Sequence, residues 1–346
     1  MSQTHVAVSA INATDNPGPG VGVARCLCED PELDVAVVGL AYDALEPGLY
    51  MDWIIGRAFT MPYPGGSADE YLNRLSYVQE QTGLDFVIPC LDVELPLFVR
   101  LEDRLKGMGI RSLLPTMSQL RMRSKDRLQE LSGQMDLQLP ETIAVTSEAE
   151  LYAAVNRIGF PLYVKGIFYE AYRVQTAVEA SAQFRKIAAV WGLPVIVQAA
   201  VQGDELNVVG VGDGEGGCLG MVGVKKTALS SLGKMWGGVT VRHPAMISAA
   251  ERLLQVCQWR GPFELECIVN GDDVFLIEIN PRFPAWVYFA AAVGVNLPAR
   301  LIRHIRGEDV DTTSDYEVGQ QFLRYSWEMV TTMERFQHVL TQGETN

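Results

Sequence analysis

The sequence predicts an α/β domain with parallel strands at its N-terminal end, followed by an α+β region. Two stretches carry that expectation. Residues 5–11 and 34–40 are short apolar runs, separated by a glycine-rich loop and a helical stretch opening at Gly20. That strand–loop–helix–strand order marks parallel α/β units. Residues 261–282, GPFELECIVNGDDVFLIEINPR, read instead as two apolar strands, 263–269 and 274–279, joined by the turn residues Asn270-Gly271-Asp272-Asp273.

The bulk composition narrows the function classes. The 346 residues allow two or three domains with a large core. A formal net charge of −14 argues against a nucleic-acid-binding surface, and a bound polyanion would need local cations. The six cysteines are scattered and form no CxxC, so reduced thiols in a cytoplasmic protein are expected. The first residues lack a basic segment followed by a long apolar one, and no apolar run reaches membrane-spanning length, so neither a signal peptide nor a membrane partner is expected.

Taken in order, residues 12–19 form a loop in which Gly18, Gly20 and Gly22 give a GxGxG spacing. This is not the GxGxxG of dinucleotide binding, although Asp43 stands where a ribose-binding acid would, so an oxidoreductase reading stays open beside a tight structural turn. Residues 86–90 form a strand, with Asp92 and Glu94 just beyond its C-terminal end, where open α/β sheets place ligands; acids complementing the dipole of helix 95–108 are the alternative. A strand near 110–114 and a helix over 117–133 follow. Ser147 should cap a helix ending at residue 158. Residues 159–166 read as a strand ending in Lys165, which, beside Gly166, suits a phosphate contact. Helix 177–190 and strand 194–198 come next. Strands 206–212 and 218–224 flank the glycine-rich stretch 213–217, which reads as a hairpin turn because no helix follows it. Lys225, Lys226 and Lys234 lie in a long segment as partners for phosphates or a substrate carboxylate. Helices follow over 244–259, 285–293, 297–306 and 320–339. The last carries an apolar stripe (Phe322, Leu323, Trp327, Val330, Met333, Phe336) expected in the core or a dimer interface, and residues 341–346 are expected to be disordered.

The hairpin carries the chemistry. Glu264 sits on its first strand, and Glu278 and Asn280 share one face at the end of the second, since strand side chains alternate. Burying an unpaired carboxylate costs at least several kcal/mol, roughly, so a cation is the natural partner. Two carboxylates and an amide oxygen suit Mg²⁺, which keeps positions open for substrate phosphates. Glu266, on the same face as Glu264, is the alternative first ligand. Arg282 follows and could hold a transferring phosphoryl group.

The sequence Glu278-x-Asn280-Pro281-Arg282, preceded by a strand bearing Glu264, resembles the metal site of the ATP-grasp superfamily, in the branch of carbamoyl-phosphate synthetase and biotin carboxylase. The resemblance implies a Rossmann-like pre-ATP-grasp domain (residues 1–114), a small subdomain (115–198), a large subdomain (199–310) and a C-terminal helical extension (311–346), with ATP between two α+β subdomains. It implies phosphate-binding roles for Lys165 and Lys125. It also implies an adenine hinge over Gln198, Ala199 and Ala200, and ribose recognition by Glu205, seven residues after Gln198. The superfamily's glycine-rich loop over the phosphates has no counterpart here. Residues 167–174 contain no glycine, so either Tyr169, Tyr172 and Arg173 cover the nucleotide with side chains or phosphate contact here is weaker. Lys226 would add a further phosphate contact. The implied activity is an ATP- and Mg²⁺-dependent (or Mn²⁺-dependent) carboxylate–amine ligase working through an acyl phosphate, with Arg282 and Lys165 as catalytic residues and small-molecule or peptide substrates. The alternatives are carbamoyl or carboxyphosphate chemistry and a nucleotide-binding scaffold without catalysis. A homodimer is the default assembly.

Overall fold

The computed structural model describes residues 3–345 apart from 15, 124, 136, 168, 169, 231 and 232, with the backbone alone at 125 and 126. By its contacts the chain divides into two units. The first comprises residues 1–122, 207–265 and 279–346, and the second residues 123–206 and 266–278.

The N-terminal part of the first unit is a parallel sheet. Strands β1 (Thr4–Ser9), β2 (Val35–Ala41), β3 (Arg57–Thr60) and β4 (Phe86–Ile88) run in the order β3-β2-β1-β4. Helices α1 (Gly20–Cys28), α2 (Ala68–Thr82) and α3 (Leu95–Gly107) complete it. Strand β1 is apolar on both faces, as a strand covered on both sides must be. Val6 and Val8 enter one core cluster and Ala7 another. The sequence reading missed β3 and α2. Yet α2 has clear end signals: the Ser67 hydroxyl accepts from the Glu70 N–H at 3.3 Å, and Gly83 closes the helix in the left-handed region (φ 67°).

Gly18 and Gly20 serve the turn. A Cβ on Gly20 would lie 2.1 Å from the Ser9 carbonyl oxygen, and one on Gly18 would lie 2.3 Å from that of Ala10. Their N–H groups donate to Asn12 and Ala10 carbonyls at 2.9 and 3.0 Å. The loop's glycines and these two donors are therefore engaged by the loop itself.

The helix expected over 117–133 is two helices, α4 (Met117–Met122) and α5 (Lys125–Gln134), and the strand expected near 110–114 is a single bridge between Phe86 and Arg111. In the second unit, β5 (Thr142–Val145), α6 (Glu148–Ile158), β6 (Leu162–Lys165), β7 (Ala171–Val174), α7 (Ala177–Trp191) and β8 (Val195–Ala199) build an antiparallel sheet ordered β5-β8-β6-β7. Ser147 caps α6 by accepting from the Glu150 N–H, and Thr176 caps α7 by accepting from the Glu179 N–H.

A six-stranded sheet follows, ordered β13-β12-β9-β10-β11-β14. It uses β9 (Asp204–Asp213), β10 (Cys218–Leu229), β11 (Met235–Thr240), β12 (Arg260–Asn270), β13 (Asp273–Asn280) and β14 (Gln321–Leu323). Helices α8 (Pro244–Cys257), α9 (Val287–Ala292), α10 (Leu297–Arg306) and α11 (Met333–Gln342) complete the chain. Asp213 closes the turn after β9 by accepting from the Glu215 and Gly217 N–H groups at 2.7 and 2.9 Å, as a hairpin turn requires.

The C-terminal expectation fails in two places. The helix expected over 320–339 starts only at Met333, where Thr332 caps it. Before it, β14 pairs with the otherwise open edge of β11, an outcome favoured by the aromatic and β-branched residues between 322 and 332. Phe322 and Phe336 pack against the core, whereas Leu323, Trp327, Val330 and Met333 are exposed, so only part of the stripe is buried in the chain itself. The tail, expected to be disordered, is bound along β3: Thr345 exchanges hydrogen bonds with Ala58, and Glu344 pairs with Arg57 at 3.2 Å and accepts from Tyr77 at 2.8 Å.

Glu94 is a structural latch. Its buried carboxylate accepts from the Ser9 hydroxyl at 2.6 Å, the Leu91 N–H at 2.9 Å and the Cys90 N–H at 3.1 Å, and from the Tyr42 hydroxyl. Burial pushes its pKa up, against the pull of these donors. The folded chain thus holds this proton more tightly than the unfolded chain. The resulting stability is present below about 4.5 and is lost as pH rises through the raised value. Glu94→Ala should lower the unfolding free energy by about 3 kcal/mol by orphaning buried donors, and should remove this pH dependence. Denaturant titration at several pH values measures both.

Candidate active site

The candidate residues divide between the two units. In the first, Glu264 on β12 is 4% exposed and carries the centre of the cluster. Its Oε1 accepts from Asn207 Nδ2 at 2.7 Å and from Trp286 Nε1 at 2.8 Å, and its Oε2 accepts from Asn280 Nδ2 at 3.1 Å. Three neutral N–H donors hold a buried carboxylate. Asn207 Oδ1 is buried without a hydrogen-bond partner. An acceptor so placed beside a carboxylate is an oxygen-rich setting, and it fits a hard divalent cation such as Mg²⁺. Of the three predicted metal ligands, the structure joins Glu264 and Asn280. Glu278 is exposed and lies two residues before Asn280 on β13. Glu266, the alternative to Glu264, is half-buried, and it is Glu264 that Asn280 reaches.

Arg282 is pinned. Its Nε donates to Asp92 Oδ2 at 2.7 Å, and its Nη1 donates to the Phe283 carbonyl at 3.2 Å. Asp92 therefore acts as the orienting partner of the arginine. Lys234 stands close enough to feel the same groups. Burial of its ammonium and the Arg282 guanidinium push its pKa down, Asp92 opposes them, and Arg324 adds to the depression. The residue as a whole is exposed. Lys226 is half-buried on β10, where its backbone pairs with Gly238 of β11.

In the second unit, Lys165 ends β6 and donates from Nζ to Gln198 Oε1 on β8 at 2.6 Å. Gln198 in turn donates to the Thr142 hydroxyl at 2.9 Å. The lysine ammonium lies 5.1 Å from the Tyr163 ring centroid, within cation–π range. Glu205 is half-buried at the start of β9.

The structure bears on two further expectations here. The Ala199 and Ala200 N–H groups donate to the Glu141 and Pro161 carbonyls at 2.8 and 3.2 Å, so neither can donate to an adenine edge in this arrangement. Residues 171–174 form a strand rather than an open covering loop. Ala171–Val174 pair with β6 in a hairpin, Gly166 donates to the Glu170 carbonyl at 3.0 Å, and Glu170 takes the left-handed conformation (φ 64°) that a glycine would ordinarily supply. Arg173 is exposed on that strand, in register with Tyr163. Tyr169 and the Lys125 side chain lie outside the described residues.

Sequence reasoning missed Asn207 and Trp286 and did not single out Arg324. Asn207 had a signal, being a polar amide within the apolar run of β9. Trp286 and Arg324 had none, because their roles depend on contacts with residues distant in the chain.

Comparison with known proteins supports the architecture. The chain is similar over 88% of its length to an L-amino acid ligase from Bacillus licheniformis, with a TM-score of 0.64, 13% identity and 74% of that chain covered. It is likewise similar over 93% of its length to the biotin carboxylase domain of the 2-oxoglutarate carboxylase of Hydrogenobacter thermophilus, with a TM-score of 0.66, 15% identity and 74% of that chain covered. That structure holds MgADP and bicarbonate. The chain has the ATP-grasp fold. Residues 193–328 match the family described as ATP-grasp in the biosynthetic pathway with Ter operon. The carbamoyl phosphate synthase large chain of Clostridium acetobutylicum is 22% identical over 202 residues, which is 53% of this chain and 18% of that protein. The chain thus matches a small part of that curated relative.

The carboxylate cluster can be tested by stability alone. Trp286→Phe and Asn207→Ala should each lower the unfolding free energy by about 1–3 kcal/mol, since each strips a donor from buried Glu264. Unchanged denaturation midpoints in both would contradict this geometry.

Proposed function

We propose that this protein is an ATP-dependent carboxylate–amine ligase that activates its acid substrate as an acyl phosphate. The observation that carries the reading is the Glu264–Asn280 pair, buried within a fold shared with nucleotide-dependent enzymes and followed two residues later by Arg282, which Asp92 orients. Glu264, Glu278 and Asn280 would hold Mg²⁺, which when bound would neutralise charge on the β- and γ-phosphates. Lys165, held by Gln198, would contact phosphate, and Glu205 would accept from the ribose hydroxyls.

The substrate carboxylate attacks the γ-phosphorus, the bond to the β-phosphate oxygen breaks, and ADP leaves. An amine then adds to the acyl carbon, loses a proton and expels phosphate, giving an amide. Arg282 offers N–H donors to the transferring phosphoryl group, where charge develops. No nucleophilic side chain is required.

A second reading, carboxyphosphate or carbamoyl chemistry with bicarbonate as the acid, draws support from the carbamoyl phosphate synthase relative and from the bicarbonate in the biotin carboxylase structure. A coupled ADP-release screen over bicarbonate, amino acids and peptides, each with and without an amine, separates the two. The ligase reading predicts ADP formation that needs an organic carboxylate. Glu278→Ala and Asn280→Ala should cut turnover at least a hundredfold while leaving the circular dichroism spectrum intact. Full activity in both variants removes the assignment, and nucleotide binding without turnover under every substrate pair points to a scaffold.

A further inference from the structure

In the first unit the Lys234 ammonium lies within electrostatic reach of two cations, Arg282 and Arg324, and two carboxylates, Asp92 and Glu264. Asp92 is paired with Arg282 at 2.7 Å, and three neutral donors hold Glu264. Arg324 follows β14, where its N–H bonds the Trp236 carbonyl at 2.9 Å. Its Nη2 donates to the Ala285 carbonyl at 2.9 Å, and its guanidinium lies 5.9 Å from the Trp236 ring centroid. Its Nε is buried without an acceptor, and burial alone pushes its pKa down, with no carboxylate acting against it. Among the described residues neither Arg324 nor Lys234 has an ion-pair partner.

A desolvated guanidinium without a counter-charge is costly, and the cost is removed when an anion binds. The chain's net charge of −14 makes an unmatched cationic pair the more telling. Resting on the ligase reading, we propose that Arg324 and Lys234 form a subsite for an oxyanion group, carboxylate or phosphate, of the substrate that accompanies the nucleotide. β14 is the opposite edge strand of the six-stranded sheet from β13, which carries Glu278 and Asn280. The planar fork of Arg324 suits bidentate recognition of an oxyanion, and the Lys234 ammonium adds a point charge.

The test is calorimetric. The full chain is saturated with Mg²⁺ and a non-hydrolysable ATP analogue, then titrated with succinate and, separately, with inorganic phosphate. One of the two should bind, and which one binds identifies carboxylate or phosphate as the group taken. Arg324→Gln and Lys234→Gln should each weaken that binding at least tenfold and leave the analogue's own affinity within twofold. Lys106→Gln, on the exposed end of α3, should change neither. Lys234 keeps solvent contact, so its variant keeps the test alive if Arg324→Gln does not fold. Probe binding unaffected by either substitution, binding of neither probe, or loss of analogue affinity in the variants would each overturn the proposal. If the wild-type chain fails to bind the analogue, the ligase reading falls on that result. The probe titrations on the nucleotide-free chain then judge the subsite separately.

Discussion

The first unit depends on one arrangement, the burial of the Glu264 carboxylate among the amides of Asn207 and Asn280 and the indole of Trp286. A carboxylate 4% exposed is tolerable only with its oxygens satisfied. These donors come from β9, from the end of β13 and from the segment preceding α9, so satisfying one charge fixes the mutual placement of three chain segments. The three N–H donors named here are neutral and do not themselves cancel the carboxylate's charge.

A similar logic runs through the parallel sheet. Glu94 also buries a carboxylate at the end of a strand, but two backbone N–H groups and two hydroxyls surround it and burial favours its protonated form. Asp92, two residues earlier, points to Arg282 instead. The pair of acids after β4, which by position alone invites a ligand site, thus resolves into one latch and one orienting residue.

Much of this was legible in the sequence because it is local. The β12–β13 ribbon follows from alternating apolar residues around Asn270-Gly271, and α10 from Asn296, whose side chain caps it, through to Gly307, where the chain turns left-handed. Lys165 and Gln198 were singled out separately and meet at 2.6 Å. What was not legible depends on chain-distant partners. Trp286 has no reason to be polar-active until β12 brings Glu264 to its indole. Residues 320–332 were read as helix from an apolar stripe, but the open edge of β11 took residues 321–323 into the sheet, and the Arg324 N–H beside them bonds the Trp236 carbonyl. Glu170 takes a left-handed conformation that nothing in the composition of 167–174 announced.

The account stands on Glu264 and Asn280 being half of a metal–nucleotide site. Electron paramagnetic resonance of Mn²⁺ tests that directly. With a non-hydrolysable ATP analogue present, the wild-type chain should bind Mn²⁺ tightly, and Glu264→Gln, which keeps the shape of the side chain, should lose that binding. Equal Mn²⁺ binding in the wild type and the variant would contradict it.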